Sequence, residues 1–252
     1  MVALADRPGQ PSRALYLVTA RHNIEEADRS QKLTVRHNMK SAPYIERQYE
    51  IDDFHLHPTT DIAVAPVRLA KAGLPLSDMH QMFVGDEMMI TSEEISKKNI
   101  SPGSHVCVVS MFPLYTGKDT MEPIWRFGRV AMIPNDLIAV QLGAFTSSIE
   151  AILIETMVWP GASGAPVFVN RTGPVNEFRD RISWRLLGLL SNHFETPTRN
   201  KSPIINIPGE KELDTGLAEA PIWTVHLNTG ISTVIPAYLI RKFIVDVNNG
   251  LK

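Results

Sequence analysis

Cysteine is nearly missing from this chain: Cys107 is the only one, which excludes an intramolecular disulfide and any cysteine-rich zinc site. It lies in the apolar, β-branched run HVCVVSMF, where a buried, inert thiol is expected. Long hydrophobic runs are missing too. No stretch approaches the roughly 18 to 20 apolar residues of a membrane span, so no membrane partner is expected. The N-terminal MVALADRPGQPSRALYLV carries Asp6, Pro8, Gly9 and Pro11 where a signal peptide needs unbroken apolar sequence. A cytoplasmic chain is expected, unless a natural sequence upstream of Met1 holds an export signal. Charge of one sign is equally scarce. Twenty-five basic side chains against 27 acidic ones leave a net charge of -2 without long single-sign blocks, so no nucleic-acid footprint is visible. The expected partner is a protein or a small molecule.

What is present is a series of short, β-rich apolar runs separated by turn-forming residues. They include RALYLVTA, KLTVRHN, YIERQYEIDDFHL, DIAVAPVRL, HVCVVSMF, WRFGRVAMI, LIAVQL, AILIETMVW, APVFV, RLLGLLSN, IWTVHL and ISTVIP. That spacing predicts an all-β barrel or sandwich, and a hydrophobic content of 44% over 252 residues is enough for a sizeable core. One helix stands out, about 236–249. Pro236 opens it, Leu239, Ile240, Phe243, Ile244 and Val247 recur at helical spacing, and Gly250 follows its end. The Met-rich 68–104 predicts a strand and a bend, whereas 170–183 and 195–221 read as loops.

Three short stretches carry candidate chemistry. VTARH places His22 after a strand run, TTDIAVAPV places Asp61 before another, and PGASGAPVF sets Ser163 among small residues. A serine hydroxyl is a weak nucleophile until a base lies within hydrogen-bond reach and a third group orients that base. A histidine, a carboxylate and a serine satisfy that need.

VTARHN, DIAVAPV and PGASGAPVF resemble the motif blocks of chymotrypsin-like, or trypsin-like, serine peptidases, which read approximately T-A-A-H, D-I-A-L and G-D/N-S-G-G-P in this order. LLGLLSNH resembles the strand beyond the family's nucleophile, and TGISTVIPAYLIRKFI its last barrel strand running into a C-terminal helix. IETMVWPGASGAPV is most similar to bacterial, non-zymogen members such as the high-temperature-requirement proteases, here without an appended PDZ domain. The resemblance spans roughly residues 14 to 245.

The resemblance implies two six-stranded antiparallel β-barrels, residues 1–105 with His22 and Asp61 and residues 106–252 with Ser163, the helix packing on the second. It implies that His22 takes the Ser163 proton, that Asp61 fixes the imidazole tautomer, and that the N–H groups of Gly161 and Ser163 form an oxyanion hole. Ser191 would lie beside Asp61. The residues after it would pair with substrate backbone. The pocket for the residue before the cut would be lined by Met157 at its base, Asn192 and His193 on one wall and Gly230 on the other. No carboxylate stands at Met157, so a demand for Lys or Arg is not expected. Medium apolar side chains are, with His193 leaving an acidic one open. The implied enzyme is a serine endopeptidase acting on protein or peptide substrates, without metal or cofactor.

The chain also departs from the family pattern. Ala162 stands where zymogen-type members have aspartate, Ala165 replaces a glycine, and Arg21 and Asn23 flank His22. No catalytic atom is lost. Three other readings stay open. A protease fold without activity would serve as a binding or sensing module. An α/β-hydrolase would use Ser163, Asp214 and His226. His55 and His57 share one strand face, as zinc ligands do. Finally, MVALA is a short partner for the strand leading to His22, with DRPGQPS as the hairpin turn, which predicts an opening strand cut short.

Overall fold

The computed structural model describes residues 2–4, 14–30, 32–40, 43–67, 84–97, 99–112, 114–142, 145–159, 161–170, 184–199 and 224–250. The N-terminal half holds β1 (Val2–Leu4), β2 (Ala14–Thr19), the short helix α1 (Arg21–Glu25), β3 (Leu33–His37), β4 (Ile45–Tyr49), β5 (His55–Leu56) and β6 (Ala63–Pro66). Four of these strands form one antiparallel sheet in the order β1-β2-β6-β5, and β3 pairs separately with β4. The short opening strand expected from MVALA is thus β1, paired to β2 through Val2, Ala3 and Leu4; the expected turn DRPGQPS lies outside the described residues.

A first closed barrel was expected here. Among the described residues the N-terminal half is instead a four-stranded sheet beside a hairpin, and 68–83 lie outside them. Among the described residues of 84–104 there is no extended strand, so the expected strand, if present, falls on residues outside them. Asp86–Met88 makes a single tight turn, Met89 makes an isolated bridge to Leu186, and Ser92–Ser96 form α2, closed by a capping box between Thr91 and Glu94. The T-S-E-E sequence supplies that box.

The second half does close. It contributes β7 (His105–Met111), β8 (Pro123–Met132), β9 (Ile138–Leu142), β10 (Phe145–Ile149), β11 (Ile152–Glu155), β12 (Pro166–Asn170), β13 (Trp184–Arg199), β14 (Thr224–Pro236) and α3 (Ala237–Asn248). Six strands, in the order β11-β14-β13-β12-β7-β8, form a closed barrel, with β9 and β10 as a separate hairpin. Alternation explains the closure. Val106, Val108, Val130, Ile154, Val167 and Val169 point inward and are almost fully buried, while Trp125 and Phe127 alternate outward on β8. Each such aliphatic side chain contributes about 1.5 to 3 kcal/mol through burial. Expected as two strands, the described parts of IWTVHL and ISTVIP form one, β14, which carries a register shift opposite β13 rather than a break. Cys107 is buried on β7, and burial pushes its thiol pKa up, so it is poorly nucleophilic.

Candidate functional site

The site begins where β2 ends. Ala20 is fully buried and extended, and the chain turns at once into α1, so His22 sits in the first turn of a five-residue helix. Backbone N–H groups in a first turn have no partner in their own helix. Asp61, arriving from the loop before β6, supplies one. Its Oδ1 accepts the His22 N–H at 3.0 Å, while its Oδ2 lies 2.9 Å from His22 Nδ1. The carboxylate therefore fixes both backbone and ring, holding the proton on Nδ1 and leaving Nε2 as the free acceptor. The Asp61 side chain is 1% exposed and that of His22 15%, so one edge of the ring remains open.

Ser163 arrives on two consecutive turns. The Ala162 N–H donates to Trp159 O at 3.1 Å, and the Ala165 N–H to Ala162 O at 3.0 Å. Gly161 and Gly164 occupy the third positions with φ of +89° and +90°, as in type II turns, which need a residue without Cβ there. Among the described residues, no hydrogen bond uses the N–H of Gly161 or of Ser163. Among the described residues both donors are thus without an acceptor.

Ser191 on β13 joins the two halves of the site. Its hydroxyl donates to Asp61 Oδ2 at 2.5 Å, and its carbonyl accepts the Ser163 hydroxyl at 3.0 Å. The Ser163 Oγ hydrogen bond thus goes to Ser191 rather than to His22. A second tie was not foreseen from the sequence. Asn23 Nδ2 donates to Ser163 O at 2.9 Å and to Thr19 Oγ1 at 3.2 Å. The only signal for it was a polar residue beside His22.

Electrostatics follow from these contacts. Burial alone would raise the Asp61 pKa, but hydrogen bonds from the His22 ring, the Ser191 hydroxyl and the His22 N–H, with the imidazolium charge, bring it below the usual value. Burial would likewise lower that of His22. The Asp61 hydrogen bond and charge, helped by Glu26 and Glu25, outweigh it and raise the pKa above 6.5.

No family model matches the chain, and no curated protein matches it. A solved structure similar to it is the crystal structure of the MamO protease domain from Magnetospirillum magneticum in its apo form. That likeness has 11% sequence identity, covers 95% of this chain and 92% of that one, and has a TM-score of 0.47. At that level it carries neither fold nor activity over to this chain.

The expected pocket residues are less convergent than His22, Asp61 and Ser163. Met157, expected at a pocket base, is 64% exposed, so its side chain does not close one from below. Asn192 is tied to β14 through Thr233, whose hydroxyl accepts the Asn192 N–H at 3.0 Å and donates to Asn192 O at 3.2 Å. His193 pairs with Ser232 in the backbone ladder; its side chain lies outside those described. Gly230 has open space where a Cβ would stand.

Two alternatives meet physical objections. After Ser163 the chain enters strand β12, whereas an α/β-hydrolase elbow must feed a helix; Asp214 lies outside the described residues. His57 already has a task, since its Nδ1 accepts the N–H groups of Thr59 at 3.2 Å and Thr60 at 3.0 Å. Among the described residues no group of three or more His, Cys, Asp or Glu side chains is placed to hold a metal.

Proposed function

We propose that the protein is a serine endopeptidase, with His22, Asp61 and Ser163 as its catalytic residues and the N–H groups of Gly161 and Ser163 as its oxyanion hole. One observation carries this reading. A buried carboxylate orients a histidine through Nδ1, and the residue that holds the carboxylate, Ser191, also holds the serine hydroxyl.

In this scheme the Ser163 hydroxyl swings from Ser191 O towards His22. Its oxygen attacks the carbonyl carbon of the scissile peptide while its proton passes to Nε2. The oxyanion is held by the N–H groups of Gly161 and Ser163, each contributing about 3 to 4 kcal/mol to the transition state. The C–N bond then breaks, the His22 proton leaves with the amine, and an ester to Ser163 remains. Water attacks that ester, giving one proton to His22 and releasing the acid as Ser163 recovers its proton. No metal or cofactor enters.

A second reading is a protease-like fold used for binding. It is favoured by one contact, the Ser163 hydroxyl resting on Ser191 O instead of His22. A fluorophosphonate probe separates the two. The endopeptidase reading expects covalent labelling at Ser163, peptide hydrolysis, and loss of both in Ser163→Ala with an unchanged unfolding midpoint. A native chain that neither labels nor cleaves overturns it and leaves the binding module.

A further inference from the structure

Among the described residues, four buried side-chain polar atoms have no hydrogen-bond partner, and two of them, Arg126 Nε and Thr156 Oγ1, belong to neighbours, since Arg126 Nη1 donates at 3.0 Å to the carbonyl of Met157, next in the chain to Thr156. From them we infer that the protein, if it is the endopeptidase proposed above, selects an acidic side chain at the residue before the cut.

Strand register sets a third such atom, Ser232 Oγ, next to Thr156 on the side away from Arg126. Ser232 pairs with Ile154, and the Thr156 N–H donates to Gly230 O at 2.8 Å, so Thr156 and Ser232 project from the same inward face of β11 and β14. Thr156 is 5% exposed and Ser232 0%. Glycine stands beside Thr156 on both neighbouring strands. A Cβ on Gly128 would come within 2.8 Å of Thr156 Cβ, whereas one on Gly230 would meet nothing within 4 Å. The barrel layer at Thr156 is therefore short of side-chain volume on the β14 side. Arg126 lies two residues from Gly128 on the same face. Its Nη1 donates to Met157 O at 3.0 Å, and its guanidinium lies over the Trp159 ring, 5.7 Å from the centroid.

The layer is continuous with the nucleophile. Thr156 runs through Met157 and Trp159 into the Ser163 turns, and Ser232 pairs with His193, two residues beyond Ser191.

The unused Arg126 Nε and Thr156 Oγ1 define the missing partner. A hydroxyl donates or accepts, but the guanidinium N–H only donates and carries positive charge. A carboxylate offers two oxygens and about four lone-pair sites to the Arg126 and Thr156 groups together. A glutamine amide would turn its NH₂ towards one of them. A leucine would leave both unpaired in a buried place, and a lysine would meet Arg126 with like charge. The chain has not supplied the carboxylate itself: no ion pair to Arg126 occurs among the described residues.

Matched peptides differing only in Glu, Gln, Leu or Lys before the cut test this. The expected kcat/KM favours Glu over Gln by about tenfold or more, and Arg126→Gln brings that ratio close to one. Fluorophosphonate labelling of Ser163 in the same preparation reports on the endopeptidase reading alone. Labelled, active protein that does not prefer Glu overturns the acidic pocket and leaves the peptidase intact. Calorimetry on Ser163→Ala, which cannot turn over, covers the other case, with N-acetylated tripeptide amides ending in Glu or Gln as probes. Heat of binding for the Glu amide and not the Gln amide supports the pocket; equal heats, or none for Glu, overturn it.

Discussion

Asp61 accepts three hydrogen bonds, from the His22 ring, the His22 backbone and the Ser191 hydroxyl, and each constrains a different part of the site. In Asp61→Asn an amide nitrogen can replace one acceptor oxygen, so the ring loses the partner that keeps its proton on Nδ1. Turnover should fall by about 10⁴-fold with little change in structure. The pH profile should move as well. A base must be neutral to act, so activity is lost as pH falls through the His22 pKa, and in the native chain that limb lies above 6.5 because Asp61 raises it. In Asp61→Asn the main raising influences vanish while burial remains, so the limb shifts to lower pH. Profiles of kcat/KM for the two proteins check this, and a limb that stays in place would separate it from His22. His22, Asp61 and Ser163 stand out in the sequence because each lies in a distinctive short motif, and the catalytic role of each belongs to the proposal. Asn23 and Ser232 do not stand out, since an amide and a hydroxyl acquire meaning only from distant partners.

At the scale of elements, the turn carrying Ser163 packs closely against the end of β2. A Cβ on Gly164 would stand 2.5 Å from Thr19 Oγ1 and 3.3 Å from the Ala20 nitrogen, whereas one on Gly161 would meet nothing within 4 Å. Both glycines have positive φ, so alanine at either incurs backbone strain of about 1 to 3 kcal/mol. Only Gly164→Ala adds a clash with the end of β2, next to His22. Gly164→Ala should therefore lower the urea unfolding midpoint more than Gly161→Ala, and equal shifts would mean that β2 and the turn do not press together in solution. Elements of this kind divide by how local their cause is. The strands β7, β8 and β12 were legible as short β-rich apolar runs between turn-forming residues, and α3 because Pro236 and Gly250 bracket an apolar stripe. The strand β10 was not, because FTSSI has too few apolar residues to announce burial. Nor was the union of two runs into β14, which depends on its pairing with β13.

Across the whole molecule, catalysis as proposed needs parts of both halves, so whatever joins the halves sets the geometry. His22 and Asp61 come from the N-terminal sheet, Ser163 and Ser191 from the barrel, and α3 connects them. Phe243 on α3 is 8% exposed and meets the His57 ring edge-on, with centroids 4.8 Å apart. His57 organises the loop bearing Asp61. Its N–H donates to Ile62 O at 2.9 Å, its carbonyl accepts Arg21 Nη1 at 2.8 Å, and its ring holds the N–H groups of Thr59 and Thr60. Burial lowers the His57 pKa, which keeps Nδ1 an acceptor. At the far end of α3, Tyr16 of β2 hydrogen-bonds Asn248, while Arg241 reaches Asp86 at 3.3 Å. The helix thus braces the Asp61 loop from behind. Phe243→Ala should cost about 3 to 5 kcal/mol by leaving a cavity, and Val245→Ala, at a position 45% exposed, should stay within about 0.5 kcal/mol. The brace predicts something more. Well below its unfolding temperature, Phe243→Ala should still lose kcat with the KM for a peptide substrate little changed, because Asp61 is released from its loop while the barrel that would bind the peptide is intact. Thermal melts paired with steady-state kinetics separate the two effects, and full kcat in a folded Phe243→Ala protein would show that the Asp61 loop stands without α3.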